Sequence, residues 1–241
     1  MSDARAPRRA SYGLDAPYLL AIPVILVAGA LAQGVLTGTP WPFVGATLVI
    51  VGTGFGLHAS RRGKFVVWAE LLDELDLHGD EQILDLGCGR GAVLLLAAHH
   101  LTSGRAVGVD LWRPGDQSDN ALESTRRNAV IEGVSDRVEL HTADIASLPF
   151  GEASFDVVTS NLVLHNLSSK AQRRALSEAV RVLRPGGRLL IADLRGTGHY
   201  LEPLRSLGLV DVTYRNLGWR LWWSGPWLAT RLIAATKPAS Q

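Results

Sequence analysis

Three glycines at alternate positions, Gly87, Gly89 and Gly91, interrupt the stretch "ILDLGCGRGAVLLL" between an apolar run and a run of helix formers. Glycines so spaced allow a tight turn and a close backbone approach to a ligand. A helix starting directly after them offers free amides and a partial positive charge to an anion, either a pyrophosphate or a carboxylate. The spacing fits G-x-G-x-G through Gly91 and the dinucleotide pattern G-x-G-x-x-A through Ala92 equally well, so the loop alone does not choose. Asp85, two residues before the first glycine, could accept from an ammonium group lying over the loop. Asp110, closing "RAVGVD", is placed for ribose hydroxyls, and Asp144, closing "RVELHTAD", for a ring amino group. His165, in "LVLHNL", could take a proton from an acceptor hydroxyl or amine, or serve as a polar loop cap. Cys88 is the one cysteine; among glycines it reads as a backbone contact, not a nucleophile, and it excludes an intrachain disulfide framework. No His, Cys, Asp or Glu spacing suits a metal, so none is expected.

These residues sit at the ends of a regular alternation. "QILDLGC", "RAVGVDL", "RVELHTAD", "FDVVTSNLVL" and "GRLLIADL" read as strands. "AVLLLAAHHL", "NALESTRRNAVIEGV", "SKAQRRALSEAVRVL" and "YLEPLRSLGL" read as helices, the second opened by a capping box of Asn120 and Glu123. Strand–helix alternation predicts an α/β doubly wound, mostly parallel sheet, with ligands outside the carboxyl ends of its strands. "DVTYRNL" and "LATRLIAATK" follow without a helix between them, which predicts an antiparallel last pair and seven strands in all. "GWRLWWSGPW" joins them with four tryptophans, either a packed connection or an apolar wall for an acceptor. Trp112 and the segment to Asn120 are expected to lie over a bound ligand or to form a surface turn. His99 and His100 are expected to face solvent.

From Ala16 to Ser60 the chain has no Asp, Glu, Lys or Arg, although a soluble domain averages about a quarter charged residues. "YLLAIPVILVAGALAQGVL" and "WPFVGATLVIVGTGFGLHA", divided by "TGTP", each approach the roughly 20 residues that span a bilayer. Arg5, Arg8 and Arg9 precede the first, and Arg61, Arg62 and Lys64 follow the second, which puts both outer ends in the cytoplasm. The division expected is a cytoplasmic tail over 1–17, a two-helix transmembrane hairpin over 18–60 and a soluble domain over 64–241. A cleaved secretory signal and a pair of soluble core helices are the competing readings. With a net charge of +1 and scattered arginines, no nucleic-acid surface is expected.

In "LDLGCGRG", "GVDL", "HTADIASLPF", "FDVVTSNLVLHNL" and "RVLRPGGRLLIADL", taken in order, the chain resembles the class I S-adenosylmethionine-dependent methyltransferases. The methionyl part of that cofactor carries the ammonium and carboxylate that Asp85 and the loop suit; a nicotinamide dinucleotide has no such ammonium. The resemblance implies that Asp85, Gly87, Cys88 and Gly89 line the methionine end, with Gly91 in the same loop and Asn161 contacting that end from below. It implies Asp110 and Leu111 at the ribose, and Asp144 and Ile145 around the adenine. The apolar hairpin is not part of that resemblance. The resulting expectation is a membrane-anchored methyltransferase with a cytoplasmic catalytic domain, His165 as base and a small lipophilic acceptor. A nicotinamide-dependent oxidoreductase and a membrane-tethered nucleoside-binding module without turnover are the alternatives.

Overall fold

The computed structural model describes residues 10–15, 21–113, 120–194 and 196–239. The outer arginines Arg5, Arg8 and Arg9, Tyr18 and the middle of the 112–120 segment therefore lie outside the described residues. The described elements in chain order are α1 (Ala21–Thr37), α2 (Trp41–His58), α3 (Lys64–Asp73), β1 (Gln82–Leu86), α4 (Ala92–His100) and β2 (Arg105–Asp110). There follow α5 (Leu122–Glu132), β3 (Val138–Thr142), β4 (Phe155–Asn161), α6 (Ser169–Val182), β5 (Leu183–Asp193), α7 (Leu201–Ser206), β6 (Val210–Asn216) and β7 (Arg231–Thr236).

The seven strands form one sheet in the order β3-β2-β1-β4-β5-β7-β6. β1 pairs in parallel with β2 and β4, and β7 runs antiparallel to both β5 and β6, as the missing helix before it requires. Side chains alternate across the sheet. Ile83, Val157 and Leu190 pack on one face with Trp68, Leu94 and Ala129 from α3, α4 and α5. Leu84, Val158 and Ile191 pack on the other with Leu176, Ala179 and Leu204 from α6 and α7. With β1 central, Asp85 and the glycine loop open onto the point where strand order reverses, the usual ligand crevice of such sheets.

Four local expectations change. Asn120 does not cap α5, whose N-cap is Ala121; its amide turns inward instead, to Arg113 O at 3.2 Å and Asp110 Oδ1 at 3.5 Å. The boundary drawn between 60 and 64 falls inside one helical run from Trp41 to Asp73. A π turn, Ala59–Gly63, carries α2 into α3 without a break. Residues 10–15 are not a free tail: Asn128 Nδ2 donates to Ser11 O at 3.0 Å, Tyr12 Oη to Glu132 at 3.1 Å, and Lys64 Nζ to Asp15 at 2.8 Å. His99 and His100 are half-buried beside Glu132 and Asp73, and burial pulls the His99 imidazole down from its ordinary range.

α1 and α2 form a closed hairpin. Gly34 faces the Phe43 ring so closely that a Cβ there would come within 2.6 Å of it. Elsewhere the pair exposes its apolar side chains, Val35 at 76% and Leu48 at 68%, among many others. The run from Trp41 is long and apolar enough to cross a membrane, with 22% of its most apolar window buried, whereas α1 is shorter.

Candidate active site

The glycine loop is held in place by backbone and carboxylate together. Gly87 N and Cys88 N both donate to Val109 O, at 2.7 and 3.1 Å. Gly89 N donates to Asp110 Oδ2 at 2.9 Å, and Trp112 N to its Oδ1 at 2.6 Å. Gly87, Gly89 and Gly91 all have positive φ, the region that disfavours side chains. Asp85 is buried beneath the loop, accepting from Thr159 Oγ1 at 3.0 Å. Burial pushes its carboxyl up to about 7, while the Thr159 and Leu94 hydrogen bonds oppose that rise and the Asp110 charge adds to it. Burial and the neighbouring Asp85 and Asp110 carboxylates push the Cys88 thiol well up, so it stays protonated at neutral pH.

A cavity of about 950 Å³ begins here, lined by Asp85, Gly87, Cys88, Gly89, Asp110 and Asn161 and by His165. A smaller adjoining recess is lined by Leu111, Asp144 and Ile145, sharing Gly87 and Asp110 with the first. The structure thus brings ten of the eleven expected site residues onto two connected hollows. Gly91 lines neither; it begins α4 in a left-handed conformation, and a Cβ there would press on Leu95 and Thr125. Asp144 Oδ1 accepts from Ala146 N at 2.9 Å, closing its own turn. Asn161 Oδ1 accepts from the buried Trp68 Nε1 at 2.9 Å, which ties β4 to α3. Trp112 lines neither hollow; its Nε1 donates to Thr142 Oγ1 at 2.7 Å and its ring packs towards the core.

His165 has a partner the sequence did not reveal. Asp193, buried at the end of β5, accepts from His165 Nδ1 at 2.5 Å, from His165 N at 2.9 Å and from Leu194 N at 2.8 Å. A buried carboxylate against Nδ1 holds the imidazole in a fixed orientation. Tyr200 lies close by, its phenol pushed up by burial and by the Asp193 charge. The only signal for Asp193 was an acid ending the strand "GRLLIAD", a feature shared with Asp110.

The residues present fit S-adenosylmethionine on structural grounds of their own. Asn120 Oδ1 is a buried acceptor without a partner and lines the large cavity beside Asp110, where a ribose hydroxyl would supply the missing donor. Among the described residues, no group of three His, Cys, Asp or Glu converges as for a metal.

Residues 84–191 match the family model described as a methyltransferase domain. The demethylmenaquinone methyltransferase of Symbiobacterium thermophilum is 34% identical over 133 residues, 54% of this chain and 50% of that protein. The chain spans about half the length of the curated relatives it matches. Among solved structures, geranyl diphosphate C-methyltransferase from Streptomyces coelicolor A3(2), with Mg2+, geranyl diphosphate and S-adenosyl-L-homocysteine, superposes with a TM-score of 0.56. It is 21% identical, covering 70% of this chain and 78% of that one. The cyclase SpnF superposes at 0.57 with 21% identity, covering 71% and 80%. Over residues 84–191 the chain is therefore similar to a methyltransferase domain, and S-adenosylmethionine is the cofactor that this similarity and the site residues support.

Proposed function

We propose that this protein is a membrane-anchored methyltransferase that moves the methyl group of S-adenosylmethionine to a small lipophilic acceptor. The observation that carries the reading is the single cavity reaching from the glycine loop and Asp85 past His165 to the apolar hairpin. When bound, the cofactor supplies an electrophilic methyl carbon, whose carbon–sulfur bond breaks with its electron pair left on sulfur. The chain's own part is to fix the methionine end over Asp85 and Gly89, the ribose at Asp110 and Asn120, and the adenine between Leu111, Asp144 and Ile145. His165 Nε2 then takes the proton of an acceptor that arrives protonated, with Asp193 holding the ring in register.

Anchoring is supported by α1 and α2, which expose apolar side chains over most of their surface at an energetic cost that water does not permit for so large a patch. Docking of residues 10–15 on the catalytic domain supports a hairpin whose two outer ends lie on one side of a membrane. Arg61 and Arg62 in the π turn then mark the cytoplasmic border. The named relatives and neighbours include proteins acting on a quinone precursor and on a prenyl diphosphate, which supports an apolar acceptor.

The test is to incubate the full-length protein, reconstituted in bilayers, with methyl-labelled S-adenosylmethionine and a membrane lipid extract. Label is expected in an organic-soluble product, with the protein in the membrane fraction after carbonate washing. Binding of S-adenosylhomocysteine with no labelled product from lipid or water-soluble extracts would leave only a nucleoside-binding module, and a fold neighbour named as a cyclase makes product detection the decisive measurement.

A further inference from the structure

The part of the cavity beyond His165 has one wall on α2. Val49, Gly52, Thr53, Gly56 and Ser60 stand at i, i+3, i+4, i+7 and i+11, a helical stripe at the centre of the α2 residues that line the hollow. The adjoining wall is the segment from Trp223 to Leu228. The two walls are fixed to each other. A Cβ on Gly52 would lie 3.1 Å from Ser224 O, and one on Gly56 2.7 Å from Trp223 O. Phe55 meets Trp222 edge to face at 5.5 Å, and His58 stacks on Trp219 at 5.1 Å. Trp223 Nε1 is tied to Thr230 Oγ1 at 3.0 Å, so the ring presents its apolar body to the hollow.

The stripe is graded in polarity. It is apolar at Val49, beside Pro23 of α1, and polar at Ser60 and at Lys64 beyond it. Lys64 is the only lysine or arginine among the described lining residues, and its Nζ is held by both Asp15 oxygens, at 3.0 and 2.8 Å. Ser60 Oγ adds a third bond to Asp15 at 2.8 Å. That cation is neutralised inside the protein, and among the described residues the hollow offers no positive cluster to a phosphate or carboxylate group. Among the described residues on this side, His165 has its Nδ1 beside Asp193, and Thr53, Asn166 and Ser224 add neutral polar groups.

We infer that the space between α2 and the tryptophan segment is the acceptor site, and that its occupant is a neutral, hydroxyl-bearing lipophile. Its apolar body lies against Val49, Thr53 and Trp223, and its O–H donates to His165 Nε2. A single ligand site spans about 300–1,000 Å³. At about 950 Å³ the hollow has room for the methionyl end of the cofactor and an acceptor side by side. The hairpin is on this view a structural half of the specificity pocket as well as an anchor, with entry from the apolar phase past exposed Leu48 and Trp227. The inference rests on the cofactor reading above.

Photolabelling tests it without turnover. Full-length protein in phosphatidylcholine nanodiscs, saturated with S-adenosylhomocysteine, is irradiated with para-dodecylphenol carrying a diazirine in the chain, and the labelled peptides are mapped. Label on residues 48–57 and 222–228 that excess para-dodecylphenol competes away is expected, over an uncompeted background on the outer face of α1. Thr53→Trp and, as a milder filling, Val49→Phe should each cut the competable label about tenfold with cofactor affinity unchanged, the loss of roughly 1.4 kcal/mol of contact. The methyl ether of the phenol and dodecyl phosphate should each compete about tenfold less well than the phenol, since neither offers a neutral O–H to Nε2. Equal competition by the ether overturns the hydroxyl contact, and better competition by the phosphate overturns the neutral class. Absence of competable label with S-adenosylhomocysteine bound overturns the site while the cofactor reading stands. Failure of S-adenosylhomocysteine to bind at all removes the cofactor reading instead.

Discussion

Cofactor affinity should depend steeply on pH through Asp85. Its carboxyl, fully buried, is pushed up to about 7 from an ordinary value near 4. An ammonium over the loop favours the carboxylate, so binding below pH 7 must first expel a proton. Affinity for S-adenosylmethionine should approach a tenfold fall per pH unit below 7, roughly 15-fold between pH 7 and 5.5, and level off above 8. Calorimetry in buffers of different ionisation enthalpy should register close to one proton released at pH 6 and almost none at pH 8.5. The same shift acts on folding with the opposite sense from an ordinary surface carboxylate. Because the folded pKa lies above the unfolded one, the empty protein binds more protons than the unfolded chain between about pH 4 and 7, and its stability falls as pH rises through that window. Asp85→Asn should bind more weakly and show no slope, whereas His165→Gln should keep the slope, which separates Asp85 from the imidazole lining the same cavity. Cys88, its thiol pushed up by burial, contributes no charge in this range. A flat dissociation constant from pH 5.5 to 8 in the unmodified protein, with no proton released, would refute the reasoning and make Asp85 a purely structural partner of Thr159.

Other consequences are as direct. Asp110→Asn should weaken S-adenosylhomocysteine binding by about tenfold or more, measured by calorimetry, since it disturbs the bond to Gly89 N as well as any ribose contact. Asp193→Asn should lower turnover about 100-fold with the cofactor dissociation constant within a factor of about 2, because it removes the carboxylate that orients the His165 imidazole; equal loss of binding would point to collapse of the site instead. Gly63→Ala places a Cβ 1.8 Å from Arg220 O and should lower the melting temperature by about 5 °C or more through overpacking of roughly 1–3 kcal/mol, read by thermal scanning in detergent. A chain begun at Lys64 loses Asp15, the strap over α5 and one wall of the cavity; retained S-adenosylhomocysteine binding with loss of turnover on membrane acceptors is expected.

What could be read from the sequence was what local period encodes. The strands carrying Asp85 and Asp110 are short apolar runs with an acid at or next to their ends, and they alternate with longer helix-forming runs, so the sheet and the edge where ligands gather followed from that alternation. The unread parts are contacts between positions far apart. Asn161 meets Trp68 across 93 residues, and Lys64 meets Asp15 across 49. Asn120 looked like a cap because Glu123 stands three residues on, yet its amide is taken by Arg113 O and the half-buried Asp110 carboxylate. The charges at Arg61 and Arg62 looked like the end of one domain and the start of another. A helix continues through them because a π turn re-aims the following stripe without breaking the backbone ladder, and Gly63 lets that turn touch Arg220. That continuity has a functional consequence. A rigid run from Trp41 to Asp73 places Val49 and Thr53 in the hairpin and Lys64 and Trp68 in the catalytic domain on one helical body. Trp68 in turn donates to Asn161, so the hairpin and the loop side of the cavity share one helix.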